Sequence, residues 1–265
     1  MSKLFWTSLI IIALTVLVIL AFQRRILFPT HLLPDVSKDD RPPRGIEQLW
    51  LGQPNDGVEA WLMKPKEPHR TSMQSIVLFF HGNAELIDDL TDHIRPYLAA
   101  GLSVALMEYR GYGRSAGSPS QSGLIDDAVE LRALLINRYG FTADRFYYHG
   151  RSLGGGVATG LANRHPPRGL ILESTFASIR SIAARMLIPG FLVLDPFDSE
   201  RVLKTLDCPI LIMHGRSDSI VPVAHGQRLA DASKDGILQL FDAGHNDLSM
   251  HAERYWASIL DFIKR

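Results

Sequence analysis

What most limits the folds open to this chain is a regular alternation. Short apolar runs at Glu47–Leu51, Val58–Met63, Ile76–Phe80, Val104–Glu108, Phe146–His149, Leu170–Leu172, Ile210–Met213 and Leu238–Phe241 are interleaved with stretches of helical spacing near 85–100, 122–139, 153–164, 223–233 and 248–264. The runs have strand length. In 122–139, Leu124, Ala128, Leu131, Leu134 and Leu135 recur on one helical face. Pro54-Asn55-Asp56-Gly57 joins the first two runs and reads as a hairpin turn. The later runs are apolar throughout and separated by helices, as expected of parallel strands covered on both faces. The expected fold is α/β: a mostly parallel central sheet, antiparallel at its start, with helices on both faces. Residues 176–205 are rich in Phe, Leu, Ile and Pro, lie between two predicted strands, and read as a small lid outside the sheet. The 265 residues suffice for one such domain with an anchor and fall short of two domains.

The N-terminal segment is of another kind. Leu4 to Phe22 carries no charge and no proline. As a helix it is about 28 Å long, close to the hydrocarbon thickness of a bilayer. A backbone in lipid must satisfy its own hydrogen bonds, which also selects a helix. Arg24 and Arg25 end the run, and Trp6 is placed for the far interface. A cleavable signal peptide requires a shorter apolar run and a small-residue cleavage site, whereas Ala21 is followed by Phe22, Gln23 and the two arginines. Residues 4–22 are therefore expected to form a single-pass transmembrane anchor. Residues 23–45, with four prolines in 29–45, are expected to be a connector, and 46–265 the domain. Lys3 on one side nearly balances Arg24 and Arg25 on the other, so the side of the membrane stays open.

Lys plus Arg and Asp plus Glu both number 28, so the net charge is zero. That balance provides no basic stripe for nucleic acid. The single cysteine, Cys208, excludes an internal disulfide framework and reads as a small buried apolar residue. Gly111-Tyr112-Gly113-Arg114-Ser115-Ala116 follows a predicted strand like a dinucleotide fingerprint. However, Gly117 and Pro119 interrupt the helix it requires. The sequence holds no H-E-x-x-H, no Cys/His cluster and no P-loop, so neither a metal nor a nucleotide cofactor is expected.

Gly150-Arg151-Ser152-Leu153-Gly154 matches G-x-S-x-G, in which a serine sits on a sharp turn from strand to helix. Alone the pentapeptide is a weak signal. Its context strengthens it: a predicted strand precedes it, and the small residues Gly155, Gly156, Val157 and Ala158 follow. A serine nucleophile needs a base, and the base an orienting acid. His245, in Asp242-Ala243-Gly244-His245-Asn246-Asp247 after the last predicted strand, is the candidate base. His251 and His225 fall inside predicted helices. Asp218 lies past the strand Ile210–Met213, where open α/β sheets meet their ligands, and is the candidate acid. Asp195, Asp198 and Asp247 are weaker alternatives. The oxyanion of an acyl-transfer intermediate needs two backbone N–H donors. These are assigned to Leu153, after the serine, and Asn83, after the strand Ile76–Phe80. His81 reads as structural.

His81-Gly82-Asn83-Ala84, Tyr109 to Ser115 with Gly117-Ser118-Pro119-Ser120, Gly150 to Gly155, His214-Gly215 with Asp218 and Val221-Pro222, and Gly244-His245-Asn246-Asp247 occur in that order. Together they resemble the membrane-associated ABHD-type serine hydrolases of the alpha/beta-hydrolase superfamily, over about residues 45 to 265. The resemblance implies an α/β-hydrolase fold, no cofactor, and a Ser152–Asp218–His245 triad. Some such proteins remove S-acyl chains from proteins and anchor through an N-terminal cysteine cluster. This chain has an apolar helix in that place. The expected activity is cleavage of carboxyl esters or thioesters of a small-molecule or lipid-like acyl substrate. The alternatives are a serine peptidase on the same fold and an inactive, membrane-tethered binding module.

Overall fold

A computed structural model describes residues 3–54, 56–66 and 75–265. Asn55 of the predicted hairpin turn lies outside the described residues. Eight strands form one sheet: β1 (Glu47–Leu51), β2 (Val58–Met63), β3 (Ile76–Phe80), β4 (Ser103–Met107), β5 (Phe146–Arg151), β6 (Gly169–Glu173), β7 (Ile210–Gly215) and β8 (Gly236–Phe241). Their order is β1-β2-β4-β3-β5-β6-β7-β8. β1 pairs antiparallel with β2, and β2 with β4; the remaining pairs are parallel. The sheet is thus antiparallel at its start and parallel afterwards, as the apolar runs predict. Several strands run past their apolar runs. β5 continues through Gly150 and Arg151, and β7 through His214 and Gly215, because both stay in register with a parallel neighbour.

Side chains pointing to one face of the sheet pack against α3 (Gln121–Tyr139), α4 (Leu153–Arg164), α6 (Ser199–Leu203) and α7 (Ala224–Ala232). Those pointing to the other pack against α2 (Arg95–Ala99) and α8 (Ala252–Ile263). Alternation along each strand sends one set each way: Ile76, Leu78 and Phe80 to the first core, Val77 and Phe79 to the second. α3 starts where Ser120 Oγ accepts the Gly123 N–H, and it ends at Gly140 in the left-handed region (φ 74°).

Two predicted helices are shorter than expected. Residues 85–100 form a 3-10 turn (Ile87–Leu90) and the short α2. Pro96 at the start of α2 lacks the N–H that a continuous helix requires, and the Ile87 N–H goes instead to Glu108 Oε2 (3.2 Å). Residues 248–264 divide into a 3-10 turn at Leu248–Met250 and α8.

α1 (Lys3–Leu27) continues beyond the predicted span and takes the first five residues of the predicted connector into the helix. Among the described residues it alone is long and apolar enough to cross a membrane, over Phe5–Leu27 with mean hydropathy 2.7. Arg24 does not stop it, because its guanidinium donates to Asp195 Oδ2 (2.7 Å) and Oδ1 (3.3 Å). The 176–205 segment holds α5 (Ile179–Arg185), a 3-10 turn at Gly190–Leu192, and α6. It adds nothing to the sheet. α6 packs on α4 and α7, so the end of the segment belongs to the body of the domain.

Candidate active site

Ser152 stands between β5 and α4 at φ 50°, ψ −115°. That left-handed conformation costs an L residue about 1–2 kcal/mol, so its surroundings must hold it there. The Ser152 N–H donates to Glu173 O (2.8 Å), while Ser152 O accepts from Thr175 Oγ1 (2.6 Å) and the Gly155 N–H (3.0 Å). The flanking glycines are a requirement of space. A Cβ at Gly150 would lie 2.2 Å from Gly154 O, and one at Gly154 would lie 2.0 Å from Phe80 O. Strand, helix and the end of β3 converge where no side chain fits.

The loop after β8 brings His245 to this turn. Its Nε2 is 3.0 Å from Ser152 Oγ, and its Nδ1 is 2.7 Å from Asp218 Oδ2. Asp218 Oδ1 accepts the N–H groups of Ile220 (2.9 Å) and Val221 (2.7 Å). His214 Nε2 lies 3.3 Å from Asp218 Oδ2 and donates to Val221 O at 2.7 Å. Burial opposes the Asp218 charge, but the bonds from His214, His245 and Val221 outweigh it and hold the carboxyl well below its ordinary range. An ionised Asp218 selects the His245 tautomer with its proton on Nδ1, which turns the Nε2 lone pair toward Ser152 Oγ. Gly215 permits the approach: a Cβ there would lie 2.2 Å from Gly244 O.

The other candidates lie elsewhere. Asp195 is paired with Arg24 and accepts the Gln121 N–H (2.8 Å), and Asp198 faces Arg180. Asp247 is near His245 in sequence, but Asp218 is the carboxylate bonded to it. His225 Nδ1 accepts the Ala177 N–H (3.2 Å), and burial pushes its pKa down to about 4. His251 Nε2 donates to Asp242 O (3.2 Å). His81 is fully buried and bonded to Glu108 Oε1 (2.9 Å); burial lowers its pKa, but Glu108 outweighs this and raises it. Among the described residues no group of three His, Cys, Asp or Glu side chains is arranged to hold a metal ion.

Asn83 and Leu153 open on the same cavity as Ser152, about 300 Å³ in volume. The Asn83 loop is tied on one side to the serine turn and on the other to the loop after β4. Glu85 accepts the Gly82 N–H (2.7 Å) and pairs with Arg151 (2.5 Å), and Tyr112 OH donates to Asn83 O (3.1 Å). The Glu85–Arg151 bridge carried no motif in the sequence. Behind the turn, buried Glu173 accepts from Tyr255 OH (2.8 Å) and lies 3.3 Å from His149 Nε2. Burial works against its charge, but His149 and Arg151 prevail and bring its pKa down to about 2. The remaining cavity wall is apolar apart from Gln23 and Asp195. Ile179, Ile182 and Met186 come from the 176–205 segment, while Ile19, Gln23 and Ile26 come from α1. The contribution of α1 was not legible in the sequence: the apolar run 4–22 gives one face no contrast with another, and Gln23 and Ile26 fell in the expected connector.

Comparison with known proteins agrees with this architecture. A family model described as serine aminopeptidase, S33, matches residues 71–194. The alpha/beta hydrolase domain-containing protein WAV2 of Arabidopsis thaliana is 30% identical, over 100% of this chain and 94% of its own length. The chain belongs to the alpha/beta-hydrolase superfamily. Among its relatives, the lysophosphatidylserine lipase ABHD12 of Danio rerio is 35% identical over 72% of this chain and 56% of its own. The esterase Pf2001 of Pyrococcus furiosus shares the fold, with a TM-score of 0.68 at 17% identity, over 88% of this chain and 98% of that one.

Proposed function

We propose that the chain is a membrane-anchored serine hydrolase that cleaves carboxyl esters or thioesters through an acyl-serine intermediate. The observation that carries this is the hydrogen-bonded row Ser152–His245–Asp218 opening on an apolar cavity. In the first half-reaction His245 Nε2 takes the Ser152 hydroxyl proton as Oγ attacks the acyl carbon. The oxyanion is held by the N–H groups of Asn83 and Leu153. Collapse breaks the bond to the alcohol or thiol, which leaves with the proton from His245. Water then attacks the acyl-serine, giving its proton to His245, and Ser152 recovers a proton as the acid departs. Asp218 keeps the imidazole in the correct tautomer and stabilises its cation. An acyl chain in the cavity meets carbon on most sides, and α1, with its length and hydropathy, would hold the domain at a bilayer.

A peptidase reading draws on the name of the matching family. An aminopeptidase needs an anionic group for the substrate ammonium. The carboxylate at the cavity wall, Asp195, is already engaged by Arg24. The ester reading is therefore favoured. Its test is labelling of the full chain by a fluorophosphonate probe. Wild type is expected to label, and Ser152→Ala and His245→Ala to lose labelling. Folded wild type that stays unlabelled would leave the binding-module reading in its place.

A further inference from the structure

Along α1, Val16, Ile19, Leu20, Gln23 and Leu27 are partly buried, while Leu14, Leu17, Val18 and Phe22 are exposed. That spacing marks one face of a helix, laid against the domain. Four contacts fix it. Gln23 donates to Leu192 O (3.0 Å) and accepts the Leu194 N–H (2.9 Å), Arg24 pairs with Asp195, and Asn83 Nδ2 donates to Leu27 O (3.2 Å). The last of these joins the end of α1 to the loop assigned to the oxyanion. The helix is therefore built into the domain; half-buried Ile19 faces the same cavity as Ser152, while Ile26, 72% exposed, borders it.

Across that cavity stand Ile182 and Met186. Met186, itself 66% exposed, begins a turn that exposes further large apolar side chains, Leu187 at 91% and Phe191 at 86%. Leu187 also holds a positive φ of 59°, a strained conformation for a leucine whose side chain faces outward. An exposed apolar patch of this kind marks an interaction surface, and this one is continuous with a helix of membrane-spanning length. A lipid environment is the surroundings that both features share.

We propose that the C-terminal half of α1 and the α5 edge form a side portal through which a single acyl chain passes from the bilayer to Ser152. Ile19 is then the specificity-determining residue that sets the length of chain accepted. This rests on the reading of Ser152 as nucleophile and of α1 as a membrane span. A cavity of about 300 Å³ is at the small end for ligand sites, which suits one chain with its polar group left outside. The portal spares that chain a passage through water.

The experiment measures kcat/KM for p-nitrophenyl dodecanoate and p-nitrophenyl butyrate with the full chain in phosphatidylcholine vesicles. The ratio of the two is expected to fall at least about tenfold in Ile19→Trp, since one methylene too many in an apolar pocket already costs about that much. Val18→Trp, one residue along on the exposed face, is expected to keep the wild-type ratio. Ile19→Ala, which enlarges the cavity without risk of overpacking, is expected to raise the relative rate on the longer ester. An unchanged ratio in both Ile19 variants, in protein that still labels with fluorophosphonate, overturns the portal and leaves the hydrolase standing. Wild type that neither labels nor hydrolyses overturns both.

Discussion

The two sides of the Ser152 cavity are held by different forces. On one side, Asp218 takes two backbone N–H groups and His245, Ser152 is locked at a positive φ by three hydrogen bonds, and glycine is imposed at positions 150, 154 and 215 by backbone atoms under 3 Å away. On the other, α1 is held by a few polar contacts to Leu192, Leu194, Asp195 and Asn83, isoleucine and methionine side chains line the cavity, and Met186, Leu187 and Phe191 are left exposed. Proton transfer demands fixed atoms, because a shift of about 1 Å in a catalytic group costs about a hundredfold in rate. Holding an alkyl chain demands volume and apolarity, which a looser wall supplies.

That contrast can be broken at three points. The largest effect is expected on the rigid side. Asp218→Asn keeps the shape but removes the charge that selects the His245 tautomer, so kcat on a p-nitrophenyl ester should fall about 10⁴-fold. A small loss would mean that Asp218 does not orient the base.

The second is a pair of glycines. An alanine Cβ at Gly154 would meet Phe80 O at 2.0 Å, whereas one at Gly190 would meet its nearest atom, Arg180 Cδ, at 3.4 Å. Gly154→Ala should cost about 4 kcal/mol or more, or yield no folded protein. Gly190→Ala should stay within about 1 kcal/mol of wild type. Denaturant unfolding of the detergent-solubilised chain measures both, and equal losses would erase the distinction between the two sides.

The third is a pH window. Glu173 has its folded pKa depressed from 4.5 to about 2, so its contribution is fully present above pH 4.5 and is lost as pH falls toward 2. The window corresponds to about 3 kcal/mol. Comparing wild type with Glu173→Gln, the difference in unfolding free energy should shrink on acidification through that range. A constant difference would show that Glu173 is not ionised behind the serine turn.

The rigid side was also the legible side. G-x-S-x-G, the Gly-His after β8 and the Asp after β7 are written in residue types that few other local structures demand. The α4 boundaries, Leu153–Arg164, coincide with the predicted 153–164. The apolar side was less legible for the same physical reason that it is adaptable. Ile19 is an ordinary residue for a membrane span, and nothing in the sequence distinguishes the isoleucine that faces a cavity from one that faces lipid; Ile26 fell in the expected connector, beyond the two arginines. The one local irregularity was Gln23, an amide at the end of the apolar run, whose partners Leu192 and Leu194 are far away in sequence. The break in 85–100 likewise depended on a distant acceptor, Glu108, for the Ile87 N–H.

The contact between Gln23 and Leu192 joins residues 169 positions apart, and that between Arg24 and Asp195 joins residues 171 apart. A ribosome releases the helix long before it releases the residues that receive it, at about 5–20 residues per second. Through most of synthesis the helix has no seat on the domain, and the sheet as far as β6 is complete before the cavity gains its second wall. On the proposed function, competence to bind an acyl chain is thus a late event in the life of the chain. A partly made or partly docked domain would carry its nucleophile turn but leave the space beside it open to water.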